Sequence, residues 1–304
     1  MDWKDFRRSD NVEELDSGSA PSGFGGRGFK LGGVGIVIVV VVSLLLGKNP
    51  LDVLALLSGG DAPPAVQSQS QAPVRSPGAL PGSPESAADA ERGTQKDFVR
   101  AVLGDTEDFW GGVFKEMGSR YPPPKLGLFR GSTHSACGLA DDVMGPFYCP
   151  ANQEVYLDLE FFQELSQRFG APGDFARAYV IAHEVGHHVQ NQLGVMGEVQ
   201  QKMSAAPERT RNALSVALEL QADCFAGVWG HSAAARGMIN AQDVESGIAA
   251  ATAVGDDRLQ RQARGYVVPE SFTHGSSAQR VQWFRTGLNS GDIRKCNTFA
   301  ANGS

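Results

Sequence analysis

The longest apolar stretch of the chain is an uncharged run from Leu31 to Gly47. As a helix it would reach about 25 Å at about 1.5 Å per residue, a short but sufficient length to span a bilayer. Residues 1–30 before it are polar and glycine-rich, which predicts a disordered tail. Residues 48–94 after it are rich in Pro, Ser, Gln and Ala, which predicts a flexible tether. The pattern therefore predicts a tail, a transmembrane anchor and a tether ahead of a folded domain over residues 95–300.

Positive charges around this apolar run predict the orientation of the chain in a membrane. Arg27 and Lys30 precede the run closely, whereas Lys48 follows it. The positive-inside rule then predicts a single-pass protein with a cytoplasmic N-terminus and an extracytoplasmic folded domain. A cleavable signal peptide is the alternative, but the region before the run is long and no small-residue cleavage signature follows Leu46.

The rest of the chain contains segments whose apolar residues recur at helical spacing and segments in which they alternate with polar residues. Segments 96–118, 174–194 and 207–229 are predicted helices, because their apolar residues recur at helical spacing. Lys125–Phe129 is a predicted strand, and Glu154–Leu159 alternates polar and apolar residues as a half-buried strand does. These elements predict an α+β domain that is mainly helical and has a small sheet.

Composition narrows the choice of partners and compartment. The net charge of -7 and the pI near 5.4 provide no field that attracts phosphates, so nucleic acid is excluded as a partner. The even number of cysteines in a chain with a predicted membrane span indicates two disulfides in an oxidising compartment. The connectivity stays open, with Cys137 to Cys149 and Cys224 to Cys296 as the pairs considered. Zinc ligation by cysteine is the alternative, and it is disfavoured because the sequence has no C-x-x-C pair.

A metal-binding pattern lies in the second predicted helix, where the chain reads His183-Glu184-Val185-Gly186-His187. Residues four apart on a helix lie on one face, so the two histidines can bind the same Zn²⁺ ion. Glu184 then lies beside the metal, where its carboxylate can take a proton from a metal-bound water. Apolar neighbours such as Val180 and Ile181 favour this interpretation, because unpaired His and Glu are costly to bury.

The third zinc ligand has to come from another element, because no further histidine follows at metzincin spacing. Glu219 and Asp223 lie four apart beside the apolar stripe of the third predicted helix. Like charges at this spacing repel each other on a free surface. We therefore predict that Glu219 binds the metal and that Asp223 accepts a hydrogen bond from a ligand histidine. Two solvated acids on a helix edge are the alternative.

These two motifs, His183 to His187 and Glu219 to Asp223, resemble the glutamate-zincin arrangement. The chain as a whole resembles the bacterial "putative neutral zinc metallopeptidase" family (YpfJ-like), through these motifs and through Gly145–Pro150, Thr273–Ser277 and Cys296–Phe299. The resemblance implies a zincin-type peptidase at the bacterial inner membrane that acts on peptides or proteins. An amidase acting on cell-wall peptides and a catalytically silent zinc-binding scaffold are the alternatives. Zinc peptidases commonly hold extended substrates on an edge strand. Glu154–Leu159 is a candidate for this edge strand, although a purely structural strand fits the same pattern equally well.

A donor that stabilises the negative charge of the tetrahedral intermediate completes such a site. His274 lies in a Gly- and Ser-containing turn, and its Thr-His-Gly run is similar to the Thr-His-Pro run of the CaaX prenyl protease group. That resemblance implies that His274 is this donor. Tyr266 is the second candidate, and a helix-capping or loop role for His274 is the alternative.

Overall fold

In the computed structural model, a mixed β-sheet packs against a group of α-helices. The structure describes residues 1–15, 84–141 and 145–300, without the side chains of residues 84–89 and 141. The described strands are β1 (Val12–Glu14), β2 (Lys125–Phe129), β3 (Ser132–Ser135), β4 (Gly138–Asp141), β5 (Phe147–Cys149) and β6 (Glu154–Asp158). Strands β3 and β4 form a separate two-stranded hairpin, and the other four form the mixed sheet. The described α-helices are α1 (Pro84–Glu116), α2 (Phe161–Gln167), α3 (Asp174–Gln192), α4 (Val195–Ser204), α5 (Glu208–Ala235), α6 (Ala241–Ala253), α7 (Asp256–Arg264) and α8 (Ser277–Ser290). The predicted α+β, mainly helical class is confirmed.

Strand β6 lies inside the sheet, which has the order β1-β2-β6-β5. It pairs in parallel with β2 and antiparallel with β5, so the predicted use of Glu154–Leu159 as a substrate-holding edge is wrong. The polar residue Glu154 is buried as well, because its carboxylate accepts hydrogen bonds from Asn152 and Tyr156. These internal bonds explain why a central strand has the alternating pattern of a half-exposed one. In the described part of the sheet, the free edge beside β6 is β5.

The four cysteines form two disulfides, in the two pairs that the sequence analysis considered. Cys137, in the turn of the β3–β4 hairpin, is bonded to Cys149 at the end of β5. Cys224 of α5 is bonded to Cys296 and thereby attaches the C-terminal segment to that helix. The prediction of two disulfides is confirmed.

The first 15 residues belong to the fold, so the predicted disordered tail is wrong for residues 1–15. Strand β1 extends the sheet by pairing in parallel with β2, and Phe6 and Ser9 are buried. The charged residues that suggested disorder have partners on α1, as in the contact of Arg8 with Asp97 at 2.8 Å. A sequence pattern cannot reveal such partners, because they lie about a hundred residues away.

The predicted anchor, residues 31–47, lies outside the described residues, as do the rest of the tail and most of the tether. Helix α1 begins at Pro84, so the end of the predicted tether, residues 84–94, is helical. Ala, Glu and Arg in this stretch are good helix formers, which outweighs its single glycine. None of the helices in the described ranges is long and apolar enough to cross a membrane.

Helix α3 is buried along nearly its whole length, and α5 lies directly against it. The close approach depends on Gly186, where an added Cβ would lie 2.9 Å from the carbonyl oxygen of Ala222. Helix α8 touches the other side of α5 at Gly287, where a Cβ would meet the Cys224 carbonyl oxygen at 1.9 Å. The two glycines thus let three helices meet at backbone distance. Polar side chains at this junction are shielded from water and need partners inside the protein.

Candidate metal centre

Three candidate ligands converge where α3 meets α5. His183 and His187 project from α3 and Glu219 from α5, and one ligand atom from each lies within 4.8 Å of the others. The His183 Nε2 atom is 3.1 Å from Glu219 Oε2, and the His187 Nε2 atom is 3.5 Å from Glu219 Oε1. The structure therefore brings together the three candidate ligands that the two motifs contain.

Their spacing and chemistry fit a zinc ion. Ligands at roughly 2.0–2.2 Å in tetrahedral zinc sites are separated from each other by roughly 3.3–3.6 Å. The two Nε2–carboxylate separations, 3.1 and 3.5 Å, are close to that spacing. Burial raises the pKa of the Glu219 carboxyl, but His187 and His274 more than offset this and hold it well below its usual range. Glu219 is therefore ionised and suited to bind a cation, together with two imidazole nitrogens.

Each histidine is held by its other ring nitrogen, which leaves Nε2 for the metal. The Nδ1 atom of His183 lies 2.9 Å from Asp223 Oδ1, and that of His187 lies 2.9 Å from Gln190 Oε1. Such outer partners fix the tautomer and the ring orientation of a zinc-bound histidine. The role predicted for Asp223 corresponds to its contact with His183.

Sequence reasoning missed Gln190. Its amide nitrogen donates to the carbonyl oxygen of Leu218 and to Oε1 of Gln221, both on α5, so its side chain also connects the two helices. Gln190 lies three residues after His187 on a buried helix, where residues three apart are neighbours. That spacing was the signal that could have identified it.

Asp223 is the centre of a buried ionic cluster. Its carboxylate receives two bonds from the Arg280 guanidinium, at 2.8 and 2.9 Å, and one from the hydroxyl of Tyr179. Burial raises the pKa of Asp223, but Arg280 and His183 outweigh that effect and lower it. Arg280 comes from α8, and its side chain is buried. The cluster keeps Asp223 ionised and oriented towards His183, a role of Arg280 that the sequence did not indicate.

We expect Asp223→Asn to weaken zinc binding by about 10–100-fold, the usual effect of losing an outer partner of a zinc-bound histidine. Competition with a chelator measures this affinity. The matched control is Asp105→Asn, because Asp105 is also buried and also receives two bonds from an arginine, Arg236, away from the candidate ligands. Equal loss of zinc in both variants would show that Asp223 acts through stability alone.

Glu184 lies in the wall of the site without a fixed partner. It is buried, and its carboxylate makes no hydrogen bond to any of the residues that the structure describes. Burial raises its pKa, although the neighbouring His183 and His187 partly offset this effect. A carboxylate with a raised pKa and no hydrogen-bond partner can accept a proton from water and return it.

His274 lies on the side of α5 that carries Glu219. The next residue, Gly275, is so close to α5 that an added Cβ would lie 3.2 Å from Val216 and 3.3 Å from Leu220. Burial lowers the pKa of His274, but the charges of Asp256 and Glu219 outweigh that effect and raise it.

Asp256, the first residue of α7, holds the His274 loop. Its Oδ2 atom accepts the backbone N–H groups of Thr273, His274 and Gly275 at 2.7–3.0 Å. Its Oδ1 atom lies 3.3 Å from His274 Nδ1, and the Nε2 atom on the other side of the ring has no hydrogen-bond partner among the described residues. Tyr266, the second candidate for the donor, lies on the surface with 60% of its area exposed.

Comparison with known proteins agrees with this centre. The chain matches the family described as "Putative neutral zinc metallopeptidase" over residues 1–299. It is 46% identical over 300 residues to the Escherichia coli (strain K12) protein named "Uncharacterized protein YpfJ", covering 98% of this chain and 99% of that protein. It is 43% identical over 225 residues to the Mycobacterium bovis "Uncharacterized protein Mb2605", covering 70% of this chain and 73% of that protein. No solved structure matches the chain at a significant level. With its His-His-Glu group and a family match over residues 1–299, the chain belongs to the family described as "Putative neutral zinc metallopeptidase".

Proposed function

We propose that this protein is a zinc-dependent peptidase that hydrolyses peptide bonds in peptides or proteins. The observation that carries the proposal is the convergence of His183, His187 and Glu219, next to the carboxylate of Glu184, which has no hydrogen-bond partner in the described part of the chain. A structural zinc site has no use for such a carboxylate, which disfavours a silent scaffold. Zinc held by these residues would polarise the scissile carbonyl and lower the pKa of a bound water.

The side chains of this protein move the protons and orient the groups of the reaction. Glu184 accepts the proton of the attacking water and then delivers it to the nitrogen of the leaving amine. His274 donates a hydrogen bond from Nε2 to the oxygen on which negative charge develops, while Asp256 holds its Nδ1 side. Asp223 and Gln190 keep the two ligand imidazoles in place throughout.

The edge strand β5 is the part of the sheet suited to hold an extended substrate. It pairs with β6 on one side and with no strand of the described residues on the other. Tyr148 of β5 is attached to α3, because its hydroxyl lies 3.1 Å from His188 Nδ1 and accepts a bond from Asn191 at 2.9 Å. Backbone pairing along β5 would therefore lay a peptide beside the active helix.

The two disulfides support a location outside the cytoplasm, where such bonds persist. Attachment to a bacterial inner membrane through residues 31–47 remains part of the proposal.

Digestion by the purified full-length protein, loaded with zinc, tests the proposed activity. A peptide library and soluble cell-wall fragments are incubated in parallel, and the products are analysed by mass spectrometry. We expect zinc-dependent cleavage within the peptides. Cleavage of cell-wall fragments alone would indicate the amidase, and stable zinc binding without any turnover would indicate a scaffold.

We expect His274→Ala to lower kcat by about 10²–10³-fold, the usual cost of losing an oxyanion donor. KM and bound zinc should stay nearly unchanged, because the lost contact exists mainly in the transition state. His134→Ala is the matched control, since His134 is an exposed histidine of strand β3. An unchanged kcat in His274→Ala would exclude His274 as the donor.

A further inference from the structure

The N-terminal segment, residues 1–15, is joined to the domain by backbone hydrogen bonds. In β1 the residues Val12, Glu13 and Glu14 pair in parallel with Leu126, Gly127 and Leu128. The bonds continue beyond the strand, since Leu15 donates to the Leu128 carbonyl at 2.7 Å. These bonds complete one side of β2, whose residues Leu126 and Leu128 are buried. Without β1, that side of β2 would be an open sheet edge.

Charged and polar side chains fix the same segment on α1. Arg8 makes two bonds to Asp97, both at 2.8 Å, and Arg7 bonds to Glu107 at 2.6 Å. The other oxygen of Glu107 accepts from the Ser9 hydroxyl, which is fully buried. Matching bonds at buried positions distinguish a built interface from a loosely attached tail.

The intervening segment, residues 16–83, joins β1 to α1, two elements that contact each other. The end of β1 lies beside α1, where Lys96 pairs with Glu14 and Arg100 pairs with Asp10 at 3.0 Å. Pro84, where the chain returns, lies about 18 Å along α1 from Lys96 at about 1.5 Å per residue, so both ends of the segment belong to the same folded body.

We propose that residues 1–15 are a structural part of the peptidase domain and lie on the same side of the membrane as that domain. A strand cannot pair with a sheet across a hydrocarbon layer of about 30 Å. It follows that residues 15 and 84, at the two ends of the segment that contains the predicted anchor, lie on the same side of the membrane. This replaces the single-pass arrangement expected from Arg27 and Lys30, in which the N-terminus and the domain lie on opposite sides.

Cysteine labelling in the full-length protein tests this proposal and needs no peptidase activity. Glu13→Cys reports on the N-terminal segment and Met117→Cys on the domain, because both native side chains are 48% exposed and both native disulfides leave no free thiol. Intact spheroplasts are treated with a membrane-impermeant maleimide before and after lysis. We expect both variants to react under the same condition. Labelling of Met117→Cys in intact spheroplasts, with Glu13→Cys labelled only after lysis, would overturn the proposal.

A cross-link in the same cells tests the packing itself. Glu13 and Lys125 form an ion pair at 2.6 Å, so Glu13→Cys combined with Lys125→Cys should be linked within one chain by a short membrane-permeant bis-maleimide. The two single variants serve as controls. Absence of the link in the double variant, with both thiols shown to be reactive, would mean that residues 1–15 are not docked and would also overturn the proposal.

Discussion

Glu184→Gln is expected to abolish hydrolysis while the protein keeps its zinc. The substitution preserves the size of the side chain and removes its ability to accept a proton. Loss of a general base lowers the rate of a reaction by about 10²–10⁴-fold. Zinc should remain at one ion per chain, because the predicted ligands are His183, His187 and Glu219. The kcat of a peptide substrate and the metal content of the purified variant are the two measurements.

A matched variant separates chemistry from stability in this experiment. Glu154→Gln changes another buried glutamate, one that accepts hydrogen bonds from Asn152 and Tyr156 in the sheet. It should lower stability and leave kcat and zinc nearly unchanged. If Glu184→Gln lost its zinc, Glu184 would be a ligand, and the assignment of roles in the site would be wrong.

The convergence of the candidate ligands could be predicted because it depends on local helix geometry. The four-residue spacing of His183 and His187 places both on one face of α3 wherever that helix packs, and the spacing of Glu219 and Asp223 does the same on α5. Two helical motifs that each lack a partner then imply that the helices meet. Gly186 shows how they do so, because the absence of a side chain there lets the backbones touch.

The rest of the site depends on contacts between distant segments, which no local pattern contains. Arg280 reaches Asp223 from α8 only because Gly287 lets that helix lie against α5. A buried arginine looks the same in the sequence as one on the surface. Asp256 likewise looks in the sequence like any acidic residue in the first turn of a helix. Its contact with the His274 loop forms only in the folded protein.

The errors in the predicted organisation have the same origin. Residues 1–30 are polar and glycine-rich, and their many charges indicate disorder when no partner for them is visible in the sequence. The partners of Arg7 and Arg8 lie on α1, across the whole predicted anchor and tether. Strand β6 was misplaced because the internal bonds of Glu154 allow a polar residue to be buried at a position that otherwise faces water.

Glu219→Ala is expected to remove zinc from the protein and activity with it. This carboxylate contacts the Nε2 atoms of both histidines, so its loss leaves a site with two protein ligands where zinc enzymes use three. The loss of affinity should exceed the roughly 10–100-fold expected for an outer partner. Zinc stabilises a folded protein by mass action, so the melting temperature of the wild type should rise with added zinc, whereas that of Glu219→Ala should not.

The control for this variant is Glu208→Ala, an exposed glutamate in the first turn of the same helix, which should keep both zinc and activity. Full zinc content and normal kcat in Glu219→Ala would place the third ligand elsewhere. Asp256 is then a poor substitute, because its Oδ2 atom is already bonded to three backbone N–H groups and its Oδ1 atom faces His274. Asp257 is committed as well, since its Oδ1 accepts from both the backbone and the hydroxyl of Ser277. Because both neighbouring acids are engaged, a negative result for Glu219 would argue against a zinc centre of this kind and not merely against one ligand.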